Sequence, residues 1–287
     1  MKHLRTLGTV AITAAATIGL ASAASAADPT GDYAEFKRCP YTNVNVSQCI
    51  YSVTNGGEIK LGNSTVPIPS SKQIILQGGI IQSGTTSTWV DAVGADTLSK
   101  TPLDVPGGLI STVSSSAFFG PLLTAFNAAI SSSNGVTATA EKIGAVQFSF
   151  ANLLFEQGTA VQLPVRVKLT NPFLGSDCYI GSSANPVTFN LSTGTTTQAP
   201  VLTGAAGALS FNSDFTVTYT TGTSLVDSAF TAPQAQNCGS TILDRWLVTA
   251  AVNAKIGLPA TAGQSRAIMN GRASVGGGDA IRANVGL

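Results

Sequence analysis

The chain has 287 residues, of which 44% are hydrophobic and only 10% are charged, and its formal net charge is +1. This apolar content with so little charge excludes an intrinsically disordered chain. Binding of nucleic acid or anionic membranes requires clusters of basic residues, and the sequence has none, so we expect no nucleic-acid partner. Serine, threonine, glycine, alanine and valine are abundant, which favours an extracellular β-rich domain.

The first 26 residues have the parts of a Sec-type signal peptide. A short basic start that includes Lys2 and Arg5 precedes an apolar stretch over residues 7–20. The Ala-Ser-Ala sequence at 24–26 then matches the small-x-small pattern of a cleavage site. These features predict export of the chain.

We predict cleavage after Ala26, with cleavage after Ala27 as the alternative, and one secreted mainly-β domain over residues 27–287. An uncleaved anchor is the other alternative, but the apolar stretch is short for a span of about 20 residues. The C-terminus has neither a hydrophobic tail nor a basic stop. We therefore expect no stable membrane span, and an extracellular or cell-envelope location.

Removal of the signal would also remove the only histidine, His3, together with Lys2 and Arg5. The mature chain would keep 13 of the 15 basic residues and all 14 acidic ones, a net charge of about −1. Without imidazole, Ser-His-Asp triads, Cys-His pairs and His-ligated metal sites are excluded. The sequence has no G-x-S-x-G, P-loop or G-x-G-x-x-G motif, and the Gly-rich 276–279 precedes a predicted strand. We therefore expect no enzymatic activity, no cofactor and no metal.

Short alternating segments separated by turn residues predict an antiparallel β core. Residues 161–169 are the clearest, with apolar residues on one face and polar residues on the other. Pro164, on the polar face, indicates an edge strand or a bulge. Asn55-Gly56 and Gly62-Asn63 are typical of hairpin turns, and residues 145–151 repeat the period of a strand.

Two segments have helical spacing instead. Apolar residues recur every three or four positions over residues 116–130. Over residues 240–257, Thr241 and Asp244 have the spacing of a capping box, and Gly257 ends the run. The predicted fold is mainly β, a β-sandwich or barrel-like antiparallel core with two short accessory helices and two disulfides.

Four cysteines in an exported chain indicate two disulfides, and sequence alone allows three pairings. We predict Cys39–Cys49, because these residues are close in sequence, and therefore Cys178–Cys238. Loop-closure entropy gives about 3 kcal/mol for the short ring and about 4 kcal/mol for the long one. A redox role would favour a Cys-x-x-Cys motif, which the sequence lacks.

The connection that contains Cys178 is the predicted contact surface. About 16 residues separate the predicted strands on either side, which is long for a connection within one domain. The second disulfide would attach this connection to the start of the helix over residues 240–257. The candidate binding residues are Asn171, Asp177, Tyr179 and Asn185.

Two other functions remain open. A secreted polysaccharide hydrolase would use two acidic residues, and the candidates are Asp91 with Asp96 and Glu141 with Glu156. A membrane-active, pore-forming protein would use the uncharged segment within residues 105–140. A carbohydrate platform of aromatic residues is also conceivable, but at this frequency aromatic side chains are more often in the core. The aromatic residues concerned are Trp89, Tyr179, Tyr219 and Trp246.

Several runs resemble a family of secreted actinobacterial proteins of unknown function. They are CPYTNVNVSQCIYS, IILQGGI, LSKTPLDVPGGL, LTNPFLGSDCYIGSSANPVTFNLSTGTT and IGLPATAG. The resemblance covers most of the chain after residue 26 and implies an exported, disulfide-stapled single domain. It implies no catalytic residue. We expect a non-enzymatic binding or structural protein of the cell envelope or extracellular space, with a cell-wall or extracellular glycan or a protein as partner, and an oligomeric state that the sequence leaves open.

Overall fold

A computed structural model describes residues 27–84, 86–94, 97–108 and 135–287. The predicted signal peptide and the predicted helix over residues 116–130 lie outside the described residues. Most of the segment 105–140, which a membrane-active function would use, lies outside them as well. Among the described residues, no helix combines the length and the apolar character needed to cross a membrane.

The described residues form fourteen strands. These are β1 (Gln48–Leu61), β2 (Ser64–Pro67), β3 (Ile74–Ser83), β4 (Thr86–Asp91), β5 (Leu103–Val105), β6 (Val136–Lys142), β7 (Gln147–Phe148), β8 (Val161–Thr170), β9 (Tyr179–Ile180), β10 (Val187–Leu191), β11 (Ala208–Phe211), β12 (Val217–Asp227), β13 (Ala235–Gln236) and β14 (Arg266–Gly277). The helical elements are a 3₁₀ helix η1 (Gly31–Arg38) and three α-helices, α1 (Phe150–Phe155), α2 (Ile242–Ile256) and α3 (Gly278–Asn284).

The strands form two antiparallel sheets of seven. The first sheet has the order β11-β12-β14-β1-β3-β4, and β2 also pairs with β1. The second sheet has the order β13-β9-β8-β6-β5, and β7 and β10 also pair with β8. Their apolar faces form one core that contains residues of both sheets, such as Ile50 of β1 and Val165 of β8. The mainly-β antiparallel fold is confirmed.

Strand β8 has the alternation that its sequence predicts. Its residues at 161, 163, 165, 167 and 169 are buried, and those between them are half-buried. Pro164 pairs with Thr188 of β10, so β8 is not an edge strand. The carbonyl of Pro164 accepts from the amide of Ile143, which lies between β6 and β7 where that edge is irregular. Its missing N–H therefore faces the gap between β6 and β7, and the described pairings of β8 show no register shift.

The hairpin predicted at Asn55-Gly56 is wrong. Strand β1 continues through these residues, and its register against β14 shifts between Thr54 and Gly56. Two positions at this bulge require glycine. Gly57 has φ +101°, and a Cβ on Gly271 would lie 1.8 Å from the carbonyl oxygen of Val53. The second predicted turn is confirmed, because Leu61 pairs with Ser64 across Gly62-Asn63.

Helix α2 confirms the second predicted helix and its capping box. The amide of Thr241 donates to the Asp244 carboxylate (2.9 Å), and the amide of Asp244 donates to the Thr241 hydroxyl (3.3 Å). Gly257 ends the helix in the left-handed conformation. Both predicted disulfides, Cys39–Cys49 and Cys178–Cys238, are present.

Two predicted strands are in part helical. Within residues 145–151 only β7 is extended, because Ser149 caps the start of α1 by accepting from the amide of Asn152. The Gly-rich 276–279 was expected to precede a strand, but its first two residues end β14 and its last two begin α3. The three helices η1, α1 and α3 were not predicted.

One buried carboxylate joins the two sheets. Asp227, at the end of β12, is 2% exposed. Its Oδ2 accepts from the amide of Asn190 in β10 (2.6 Å), and its Oδ1 accepts from the amide of Ala229 (2.8 Å). Burial raises the pKa of Asp227, although hydrogen bonds from the backbone amides of Asn190, Ala229 and Phe230 oppose this. The protonated form is therefore favoured by folding.

We expect the stability of the protein to depend on pH through Asp227. A carboxyl whose pKa is raised by folding stabilises the fold fully below its unfolded pKa of about 4, and this stabilisation is lost as the pH rises through the folded pKa. Asp227→Asn should cost about 1–3 kcal/mol, because one backbone amide loses its acceptor. Urea unfolding from pH 7 to pH 4 should show this cost growing as the pH falls. An equal cost at every pH would contradict the assignment.

Candidate functional site

A polar groove lies between the two sheets, beside the β3–β4 hairpin and helix α1. Its volume is about 660 Å³. The described residues that line it include no charged side chain. Five of them carry carboxamides, namely Gln48, Gln82, Gln147, Asn152 and Gln162. Hydroxyl groups come from Ser87, Ser149 and Thr159, and apolar surface comes from Ile80, Phe148 and Phe150.

Strand pairing places these residues on the two walls. On the first sheet, Gln48 pairs with Ile80, and Gln82 pairs with Ser87, so the four share the face that turns toward the second sheet. On the second sheet, Gln147 lies opposite Gln162, and both belong to the outer face, because Phe148 and Val161 are the pair in the core. Gln162 in turn lies opposite Asn190, which continues the row of carboxamides across the sheet.

Three of the five groove carboxamides have partners within the protein. The Gln82 amide donates to the carbonyl of Gly84 (2.8 Å), the Asn152 amide to the carbonyl of Thr159 (2.8 Å) and the Gln162 amide to Asn190 (2.8 Å). These bonds hold the walls in place. The carboxamides of Gln48, which is half-buried, and Gln147, which is exposed, make no side-chain hydrogen bond to any described residue, so they are available to a ligand in the groove.

This lining suits a neutral ligand rich in hydroxyl groups. A carboxamide offers both an acceptor oxygen and a donor NH₂, and a hydroxyl group both donates and accepts. The half-buried ring of Phe150 provides apolar surface beside them. Polar residues make up most of this lining, which is more polar than the common ligand pocket.

Two apolar cavities also lie in the core between the sheets. Their volumes are about 50 and 40 Å³, and both are bounded by aliphatic side chains such as Ile59 and Ile74 and by Phe189. Each has room for about one or two water molecules and has few polar partners for them. We interpret them as gaps in core packing.

The four predicted binding residues do not line the groove. Asn171 is buried, and its carboxamide oxygen accepts from the amide of Phe173, so it supports the turn. Asp177 and Asn185 are exposed. Tyr179 begins β9, and the guanidinium of Arg166 lies 4.1 Å from its ring centre. As a ligand surface this connection stays a prediction.

The second disulfide attaches this connection to the start of α2, as predicted. Beside the Cys178–Cys238 bond, the amide of Gly239 donates to the carbonyl of Leu174 (2.8 Å). The amide of Cys238 also donates to the hydroxyl of Thr249 in α2 (3.0 Å). The role of this disulfide in the structure is therefore to hold a long connection against a helix.

The acidic residues considered for hydrolysis lie outside the groove lining. Asp91 pairs with Lys142 (2.8 Å), and Glu141 pairs with Arg166 (2.7 Å). Glu156 accepts from the amide of Ala206 (3.0 Å). Asp96 lies outside the described residues. No group of three or more potential metal ligands is found within the described ranges.

Among the aromatic residues expected in the core, Trp246 is exposed at 66%, so that prediction is wrong for it. It lies on the outer side of α2, where only one face of the helix contacts the sheets. Trp89 and Tyr219 are half-buried. The indole of Trp89 donates to Asp91 (3.1 Å), and its ring lies against Gly78.

A second polar cluster lies under η1, on the outer face of the first sheet. The carboxylate of Glu35 accepts from both terminal nitrogens of Arg272 and from the hydroxyl of Ser274. Burial by itself would raise the pKa of Glu35, but the hydrogen bonds from Arg272 and Ser274 and the charge of Arg272 together hold it below its ordinary value. Tyr33 and Thr216 share a further hydrogen bond (2.7 Å). These groups satisfy one another, so we assign them to attachment of η1.

The fold and the groove together define a disulfide-bonded protein of two antiparallel sheets with a neutral polar groove between them. Comparison of the chain with known protein families, curated proteins and solved structures finds no match.

Substitution of Glu35 tests the structural role of the second cluster. Because folding lowers its pKa, Glu35 stabilises the protein above its unfolded pKa of about 4.3, and this stabilisation is lost as the pH falls through the folded pKa. Both partners are about one-third exposed, so solvent screening reduces the gain, and Glu35→Gln should cost about 1 kcal/mol at pH 7. Denaturant unfolding should show that this cost shrinks at acid pH. Glu141→Gln, at the Glu141–Arg166 pair within the second sheet, is the matched comparison.

Proposed function

We propose that this protein is a secreted, non-enzymatic binding protein of the cell envelope or extracellular space, and that it holds a neutral glycan in the groove between its sheets. One observation carries the proposal. Gln48 of the first sheet and Gln147 of the second both line an uncharged groove of about 660 Å³, and their carboxamides have no side-chain hydrogen bond to any described residue. Export is supported by the signal-like N-terminus and by the two disulfides.

Glycans match this lining in both of their chemical properties. Sugar hydroxyl groups donate and accept hydrogen bonds, as do the carboxamides and hydroxyls of the groove. The C–H faces of a sugar ring can pack against the ring of Phe150. Burial of a charged ligand without a countercharge is costly, so the uncharged lining disfavours charged ligands.

Hydrolysis of a polysaccharide is the rival function. It would require two carboxyl groups about 5–10 Å apart across the groove. The described lining contains carboxamides and no carboxyl group. The carboxylates of Asp91 and Glu141 form ion pairs with Lys142 and Arg166. These contacts favour binding over hydrolysis.

Retention on washed cell envelopes, with and without soluble neutral oligosaccharides, tests the proposal. We expect retention that the oligosaccharides reverse. Release of reducing ends from the same oligosaccharides, measured in parallel, would identify a hydrolase and contradict a non-enzymatic role.

Variants assign the binding to the groove. Gln48→Ala with Gln147→Ala removes two unpaired carboxamides and should weaken oligosaccharide binding by about tenfold, as expected for loss of two hydrogen bonds. Gln234→Ala removes an exposed carboxamide outside the groove and should leave binding unchanged. Equal affinities of the double variant and the unmodified protein, measured by calorimetry, would place the site elsewhere.

A further inference from the structure

Strand β11 is an edge of the first sheet and has the properties of a pairing surface. Within the described residues its only strand partner is β12. All four of its residues are exposed, including Leu209 at 47% and Phe211 at 48%. Proteins protect exposed edges with short strands, lysine, proline, bulges or covering segments, because a free edge can pair with another strand, and of these β11 has its length of four residues. Residues 207–213 contain no charge and no proline.

The hydrogen-bond pattern shows which backbone groups are free. The amide of Asn212 donates to the carbonyl of Val217, directly opposite on β12. Antiparallel pairs alternate between bonded and non-bonded positions, so Ser210, opposite Tyr219, is also bonded to β12. The N–H and C=O groups of Leu209 and Phe211 therefore point outward, away from the sheet.

The turn after β11 extends this apolar edge at a conformational cost. Phe215 has a φ of +55°, a left-handed conformation that glycine adopts without strain and that is rare for a bulky residue. Its side chain is 78% exposed, so burial within the chain does not offset this cost. Its ring lies 5.7 Å from that of Phe211. The amide of Phe215 donates to the carbonyl of Asn212 (3.2 Å), so this conformation closes the turn between β11 and β12 and leaves the ring exposed beside the edge.

We infer that β11 pairs with β11 of a second copy of this chain, antiparallel and centred on Ser210. In this register Leu209 of each copy lies opposite Phe211 of the other. The outward N–H and C=O groups of these residues then form two bonded pairs, each exchanging two hydrogen bonds. A two-fold axis through Ser210, normal to the sheet, keeps both apolar side chains on the same face in both copies.

Other registers fit less well. A shift by one residue would place Leu209 opposite Ser210 of the other copy, whose N–H and C=O groups point toward β12, so the bonded pairs would be lost. The charged residues close to the edge lie beyond the two ends of the strand: Asp214 is in the following turn, and Glu156 accepts from the amide of Ala206 before it. The uncharged edge therefore allows the approach of an identical copy.

Cross-linking through the two-fold axis tests the register. Ser210 would face itself across a non-bonded position, where Cα atoms are about 4.5 Å apart, within the range of a disulfide. Ser210→Cys should form a covalent dimer on mild oxidation. Ser213→Cys, exposed in the adjacent turn, is the control for random collision. Equal rates of dimer formation by the two variants would overturn the proposed register.

Sedimentation measures the association itself. The unmodified protein should show a mass that doubles with rising concentration. Phe211→Lys should weaken dimerisation by about tenfold or more, since lysine is a residue that protects natural edges. Val44→Lys, at a residue that is 74% exposed and outside the strand, should leave dimerisation unchanged. A single-copy mass at every concentration would overturn the proposal.

A second variant separates association from folding. Phe215→Gly relieves the left-handed conformation, so the variant should fold at least as well as the unmodified protein and yet dimerise more weakly. Unchanged dimerisation of Phe215→Gly would exclude Phe215 from the contact. Neither measurement involves a glycan, so the dimer and the proposed groove ligand can fail independently.

Discussion

The pairing of β1 with β14 is the constraint on which the rest of the structure depends. It joins residues 48–60 to residues 266–277, from the two ends of the described chain, at the centre of the first sheet. The outer face of this pair then carries η1 and α3, whose Phe36 and Ile281 are fully buried against it. A Cβ on Gly276 would lie 2.7 Å from the Phe36 ring, so the close approach of this ring to the sheet requires glycine at this position. Such non-local pairing predicts slow folding.

Scarcity of charge explains how the two sheets are held and why the groove is neutral. The described ion pairs include two that connect the sheets, Asp91–Lys142 and Lys72–Asp104. Hydrogen bonds between carboxamides, hydroxyls and the backbone carry most other polar contacts. A surface built this way can present unpaired carboxamides to a ligand without the competing field of nearby charges. The same lack of charge leaves the edge at β11 unprotected.

The groove and the β11 edge occupy different parts of the first sheet. The groove uses the face of β1, β3 and β4 that turns toward the second sheet, whereas β11 lies at the other edge, beyond β12 and β14. Pairing through β11 would therefore leave the groove open. A dimer of this kind would present two grooves, and two linked sites on one polysaccharide bind with an effective concentration that a single site lacks.

Sequence alone determined the features that depend on local patterns: the alternation of β8, the capped helix α2, the mainly-β class and, from cysteine spacing, both disulfides. Tertiary structure decided the rest. Asn55-Gly56 has the local preference of a turn, but pairing with β14 along the whole of β1 converts it into a bulge. The groove escaped prediction because Gln48 and Gln147 are 99 positions apart in sequence, and only the packing of two sheets brings them to one groove. Periodicity assigns a side chain to a face, whereas the partner of that face is set by the fold.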